Sequence, residues 1–479
     1  MFIHHLLVTA ISLSYARKAQ HNKLELASLK VQPACLRATS NARVLVQENI
    51  NSYRSTSRAA FLLYSSEAEP IDYKYAIFSI KRRCDTNRSK AHQQSTMELQ
   101  LEDELRNVIF HDAKFIDHFL AGDNDKLTKV VKHCRKQDQQ LKRKKKWSIP
   151  ERVSDEKELY APVLKVLNTI KKAVDDVHGF PEAMVPSLED VEPEVIIDNH
   201  KYPINSDLAN TQLIKPDLVL FQDAQRHWEN VRLPIEIKRL PGHHKVGMKQ
   251  LSRYARAVFA HQLHRRHLYG LIVCGREATF VRFDRAGILY SGRIDIVEQS
   301  EVFTRAFASL LMLDRVDEGL DPAFKFSRNS KGRLVYYIDL PESEVDKLSG
   351  ELPPDKELAS TSSQRMRRFE VIERLCHRES ICGRATIVLR IREVVERQQQ
   401  TKAKKSGKGK GKGRRRATKK AEPREYALKL MWRDPDRDSE GDVLEKVHGM
   451  FGLAQYAGHW DVPGRSLSAT AAGDNTNAR

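Results

Sequence analysis

Residues 215–240 read KPDLVLFQDAQRHWENVRLPIEIKRL. KPDLVLFQD and VRLPIEIKRL are two short runs rich in Val, Leu and Ile, each broken by Pro and polar residues, which is how strands are written. Asp217 opens the first run, and Glu236 and Lys238 sit two residues apart in the second. Side chains alternate along a strand, so Glu236 and Lys238 share one face while Ile235 and Ile237 take the other. If the two strands are neighbours, Asp217 meets that pair. Two converging carboxylates suit a hard divalent cation such as Mg²⁺. A nearby ammonium can then orient a water for attack on a phosphodiester, with the metal stabilising the charge that develops. The plainer alternative is a Glu236–Lys238 pair on a solvated strand face.

Outward from this stretch, EVIIDN adds a strand before it, and residues 154–175 (SDEKELYAPVLKVLNTIKKAVD) predict a helix. Ser154 is its candidate N-cap, Asp155, Glu156 and Glu158 occupy its first turns, and Leu159, Val163, Val166 and Ile170 form one apolar face. After the Pro241-Gly242 turn, a helix is expected around 245–262, then strands through HLYGLIVCG, ATFVRFDRAG and GILYSGRIDI, a helix over 300–320 and a strand over 333–340. The order helix, three strands, helix, strand implies an α/β or α+β sandwich, a sheet covered by helices.

Pro216-Asp217 and Glu236-Ile237-Lys238 resemble the signature of the restriction-endonuclease-like, or PD-(D/E)XK, superfamily. Gln250 and Tyr254 match the Gln-x-x-x-Tyr pattern of one branch, and their i,i+4 spacing puts both on one side of a helix. The resemblance covers about 154–296. It implies a mixed sheet with flanking helices, with Asp217, Glu236 and a third acid from the preceding helix that carries Glu156 and Glu158, chosen as Glu158, around Mg²⁺, and Lys238 as the catalytic lysine.

A second resemblance lies further on. EYALKLMWRDPDRDSEGDVLEKVHGMFGLAQYAGHW (425–460) is similar to the small lobe of the fungal-type protein kinase family: Lys429 in an apolar strand, Trp432-Arg433 after it, Glu440-Gly441-Asp442 with Leu444 in a helix, then His459. KPDLVLF, WENVRLPIEIK, QLSRYARAVFAHQLHRR, LYGLIVCG and FDRAGILYS are similar to that family's region ahead of the kinase lobe. The resemblance implies that Lys429 holds the ATP phosphates and pairs with a helix glutamate, Glu440 by motif or Glu445 further in. The phosphate-covering loop maps to Cys382–Thr386, with Gly383 where the usual loop has three glycines. RATIVLRIREVVE and REYALKLMW flank a long polar insertion and are expected to pair as an antiparallel hairpin, because long insertions cost little closure entropy. Ser439 is a candidate N-cap for the following helix. No His-Arg-Asp and no Asp-Phe-Gly occurs in the 479 residues.

The chain carries 82 Lys and Arg against 63 Asp and Glu, a net charge of +19. Much of the excess is local: eleven basic residues and no acid over 402–420, and five basic residues from Lys142 to Lys146. Such runs read as solvated and unfolded. They fit a linker without a dedicated partner, a nuclear import signal, or non-specific contact with nucleic-acid phosphates. No apolar run reaches the roughly 20 residues of a bilayer span. Six scattered cysteines form no zinc spacing and no disulfide framework. Both points suggest an intracellular, nuclear or cytoplasmic protein without membrane contact. The start, MFIHHLLVTAISLSYARKAQ, reads as a targeting segment lacking a basic n-region, or as residues ahead of a natural start at Met97.

The expected organisation is a poorly ordered extension over 1–96, a helical segment with a basic run over 97–145, a nuclease-like α/β domain over 146–340, and a linker over 341–368. A partial kinase-like small lobe follows over 369–462, with a basic insertion at 398–422, then a disordered tail over 463–479. The expected function is that of a fungal-type protein kinase domain-containing chain that stops before the catalytic loop. It would lack kinase activity, bind ATP weakly and act as an interaction or regulatory remnant. The alternative is a Mg²⁺-dependent nuclease working through the central domain.

Overall fold

The computed structural model describes residues 3–10, 88–179, 195–223, 225–330, 333–341, 366–394, 424–433, 438–451, 453 and 455–462. The bulk of the N-terminal extension, the basic insertion and the C-terminal tail lie outside the described residues. In chain order the strands are β1 (Ile3–Ala10), β2 (Ile109–His111), β3 (Ile196–Asp198), β4 (Leu218–Phe221), β5 (Val231–Lys238), β6 (Leu268–Cys274), β7 (Glu277–Phe283), β8 (Ile288–Tyr290) and β9 (Ile294–Asp295). Then come β10 (Phe324–Arg328), β11 (Leu334–Pro341), β12 (Met366–His377), β13 (Ile387–Glu393), β14 (Glu425–Arg433) and β15 (Gln455–Val462). They form two sheets. The first is ordered β2-β8-β7-β6-β5-β4-β3, with β9 on β7; the second is ordered β10-β11-β12-β13-β14-β1-β15.

The first sheet is mixed. β4 runs antiparallel to β5, and β5 parallel to β6, with the helix His244–His261 as the crossover a parallel pair requires. Period-two alternation sets its layers. Leu218, Leu220, Leu233, Ile235 and Ile237 pack with the helices Asn124–Gln137, Tyr160–His178 and Ser300–Leu311. Val219, Phe221, Val231 and Ile272 face the other way, onto Leu251, Tyr254, Val258 and Phe259 of the crossover helix. Every residue of β5 and β6 is buried, as expected of central strands covered on both faces. The expected strands and the crossover helix are therefore present, in an α+β arrangement of a mixed sheet with flanking helices. No helix among the described residues is long and apolar enough to cross a membrane.

The second sheet has its own core, built from Ile338, Leu340, Phe369, Leu389, Ile391, Leu428 and Leu430 among others. β13 and β14 pair antiparallel across the long insertion, as expected.

Several expectations are corrected. β10 pairs with β11 and β11 with β12, so the boundary drawn at residue 340 falls inside the second sheet, and Pro341 and Met366–Arg368 belong to strands rather than to a linker. Local sequence shows that 333–340 is a strand but not which sheet it joins. The 1–96 extension is not wholly unpacked: Ile3–Ala10 is a sheet strand, and the helix Arg88–Glu104 runs across residue 96. The basic run Lys142–Lys146 is ordered: Lys142–Lys144 end a helix, Lys145 closes it in the left-handed conformation, and Lys146 pairs with Glu298. The N-cap at the 154–175 helix is Asp155, not Ser154. It opens a 3₁₀ turn, Glu156–Leu159, through a reciprocal capping box with Glu158.

Candidate functional site

Leu218 stands opposite Ile235, which places Asp217 beside Glu236 at the end of the strand pair. Asp217 Oδ2 accepts from the Ile237 N–H at 2.8 Å, and Oδ1 from the Tyr160 hydroxyl at 2.9 Å. Glu236 Oε2 accepts from the Tyr254 hydroxyl at 2.6 Å, and Oε1 lies 2.7 Å from Lys238 Nζ. Lys238 also donates to the Ile237 carbonyl at 2.8 Å and to Glu156 Oε1 at 3.1 Å. The structure thus brings together Asp217, Glu236, Lys238 and Tyr254. It adds Tyr160, and of the two helix acids it brings in Glu156.

Glu158 is not part of the cluster. Its carboxylate is taken by Ser154 and by the Asp155 N–H in the capping box. A 3₁₀ turn advances about 120° per residue, so two residues apart cannot point the same way. Glu156 takes the place expected of Glu158. Among the described residues, no hydrogen bond from Gln250 reaches the cluster, and its shielded Oε1 has no partner. Tyr160 had no signal of its own in the sequence, because its partner Asp217 lies 57 residues further along the chain.

Every carboxylate oxygen of Asp217 and Glu236 is therefore occupied by a donor of the chain itself. Mg²⁺ needs about six oxygens in near-octahedral array. Each carboxylate oxygen keeps a second lone pair, but both carboxylates are buried and the Lys238 ammonium stands 2.7 Å from Glu236, where a cation would sit, so the residues as arranged do not fit a resident metal.

The cluster is 1% exposed at Glu236 and 8% at Asp217. Burial pushes the Glu236 carboxyl up to about 8, and the Asp217 carboxylate adds to the rise. Burial also raises Asp217. For Lys238, burial opposes the charge, but Glu236, Asp217 and Glu156 outweigh it and raise the ammonium. Between the ordinary carboxyl value of 4.5 and about 8, the folded chain holds a proton at Glu236 that the unfolded chain has released. Stability therefore falls as pH rises through that window. Glu236→Gln lacks this titration. In denaturant unfolding at about pH 5 and pH 9, the variant should gain on the parent chain at the higher pH. An equal stability difference at both pH values would contradict the buried, protonated Glu236.

In the second sheet, Lys429 of β14 forms an ion pair with both carboxylate oxygens of Glu440. Glu440 opens the helix Glu440–Lys446, which Ser439 caps by accepting from the Gly441 and Asp442 amides. Of the two helix glutamates, the one paired with Lys429 in the structure is Glu440. Glu445 lies on the other side, where it, Asp442 and His459 bring one ligand atom each within 4.8 Å of one another. There His459 Nε2 pairs with Asp442 at 3.0 Å, and its Nδ1 lies 2.6 Å from the Tyr456 hydroxyl. Gly441 is required by packing: a Cβ there would stand 2.2 Å from the His459 ring.

The loop holding Gly383 lies between β12 and β13 of the second sheet and does not hang free over Lys429. It docks onto the first sheet's module. Ile381 is fully buried in the core that contains Phe259. The Arg285 guanidinium, 4.0 Å from the centre of the Phe259 ring, donates to the Ser380 and Ile381 carbonyls. The Ile381 N–H donates to Glu104 at 3.1 Å. Gly383 itself, at φ +95°, donates its N–H to the Arg285 carbonyl at 2.8 Å. The amide expected to approach phosphates is already engaged.

No curated protein matches the chain, and no solved structure matches it. A family model does: residues 215–473 match the one described as fungal protein kinase. The match runs from the Asp217 strand through the Lys429–Glu440 pair and covers more than half of the sequence, so the chain belongs to the fungal protein kinase family.

Proposed function

We propose that these 479 residues form a nucleotide-binding, non-phosphorylating member of the family, which works through interaction or regulation rather than turnover. The observation that carries this is the Lys429–Glu440 ion pair, the arrangement that orients a kinase lysine toward the α- and β-phosphates of ATP. Lys429 fits such a ligand. Gly383 adds nothing while its amide is bonded to Arg285, so ATP contact is weak. Phosphoryl transfer needs a base for the hydroxyl proton and ligands for the metal on the γ-phosphate. The His-Arg-Asp and Asp-Phe-Gly sequences that supply them are absent from these residues. Ground-state binding alone does not accelerate chemistry.

Calorimetric titration with ATP tests the reading. Weak binding is expected, reduced at least tenfold in Lys429→Met, with no transfer to protein or peptide in Mg²⁺ or Mn²⁺. Absence of ATP binding would remove the nucleotide role. Phosphorylation that disappears in Lys429→Met would remove the non-phosphorylating one.

A second reading, a Mg²⁺-dependent nuclease of PD-(D/E)XK type, is favoured by the convergence of Asp217, Glu236, Lys238 and Tyr254. The burial of both carboxylates and the Lys238 ammonium beside Glu236 weigh against it. Under this reading Lys238→Ala abolishes cleavage of DNA or RNA in Mg²⁺. Cleavage that survives the substitution has another source.

A further inference from the structure

β14 and β15 each run antiparallel to β1 and lie on either side of it. They are therefore parallel to each other and stand two strand spacings apart, about 9.6 Å. The chain passes from one to the other through the helix Glu440–Lys446 and leaves a one-strand slot between them. Residues 3–10, more than four hundred positions earlier, fill that slot. β1 pairs with β14 from Ile3↔Arg433 to Ala10↔Tyr426, and with β15 from His4↔Val462 to Ala10↔Gln455.

One register level stands out by what it joins. Leu7 is the partner of Lys429 on one side and of His459 on the other. Those two residues are the sheet's ion-pair anchors for the helix: Lys429 holds Glu440 and His459 holds Asp442. The inserted strand thus fixes the separation of the two anchors. Without it, β14 and β15 would present facing rows of unpaired N–H and C=O groups, an edge that templates strand addition.

We infer that the slot between β14 and β15 is a strand-acceptor site, that its ligand is an extended peptide, and that residues 3–10 of the same chain are its occupant. The Lys429–Glu440 and His459–Asp442 pairs form only when the slot is filled. The inference concerns assembly of the lobe and does not depend on nucleotide binding.

The test uses the full chain carrying Leu6→Pro and Leu7→Pro. Adjacent residues of a central strand bond to opposite neighbours, so the pair removes a donor from each ladder. Amide exchange in 425–433 and 455–462 should speed up at least tenfold, while β6 of the other sheet stays protected. A synthetic peptide of residues 3–10, added in excess, should restore protection to the variant and show no binding to the unaltered chain. A peptide with both prolines should do nothing. Unchanged exchange in both strands, or no rescue by the peptide, would overturn the inference. A second measurement avoids any folding defect. Facing residues in an antiparallel pair have Cα atoms about 4.5–5.5 Å apart, within disulfide reach. Leu6→Cys with Leu430→Cys should therefore form an intrachain 6–430 disulfide on mild oxidation. Its absence, or a bond between two chains instead, would overturn occupancy by the chain's own strand.

Discussion

Asp217→Ala lowers the unfolding free energy by about 3–5 kcal/mol in urea denaturation at neutral pH. The carboxylate serves two buried donors, the Ile237 N–H and the Tyr160 hydroxyl. Each donor left without an acceptor costs about 1–3 kcal/mol. Removing a carboxylate from beside Glu236 also removes a like charge. That relief is the smaller effect, because Glu236, pushed up to about 8, is largely protonated at neutral pH and carries little charge to repel. Asp217→Asn keeps one acceptor and should lose roughly half as much. A change below about 1 kcal/mol in the alanine variant would show that this cluster is not a structural clamp. The metal-site reading would then regain ground.

Arg285→Ala lowers the unfolding free energy by about 3–5 kcal/mol, less than the sum of its separate contacts because one Nη1 serves both loop carbonyls, and frees the 378–386 loop. Arg285 is 3% exposed, and burial pulls its pKa down to about 10, still high enough to keep it charged at neutral pH. Its guanidinium lies over Phe259 and donates to two loop carbonyls. Hydrogen bonds to a charged group contribute about 1.5–3 kcal/mol each, and a desolvated cation–π contact about 2. Truncation also leaves a cavity against Phe259. Amides of residues 380–383 should exchange faster than those of β6. If the loop stays protected, Ile381 burial alone holds it.

Side-chain alternation made the Asp217–Glu236–Lys238 cluster legible, because one strand end and one i,i+2 pair leave little choice once the strands are neighbours. The Lys429–Glu440 pair was legible from its motif. Glu158 misled because two acids two residues apart point to different sides of either an α or a 3₁₀ turn, so only one of Glu156 and Glu158 faces Lys238, and the sequence does not say which. The docked loop was hidden as well: nothing near Ile381 indicates that it packs beside Phe259, more than a hundred residues earlier. β1 was the least legible. IHHLLVTA carries an ordinary apolar signal, and its partners lie at the opposite end of the sequence. Non-local pairing leaves no mark on the segment that undergoes it.

The allegiance of β10 and β11 bears on limited proteolysis. Both strands precede residues 342–365, yet they extend the sheet that begins again at β12. The eight-residue β11 bonds to β12 along five consecutive register positions, from Tyr337↔Glu370 to Pro341↔Met366. A protease that nicks the connecting segment would leave two fragments still zipped together by this ladder. Gel filtration would then report an intact particle, and only a denaturing gel would show the cut.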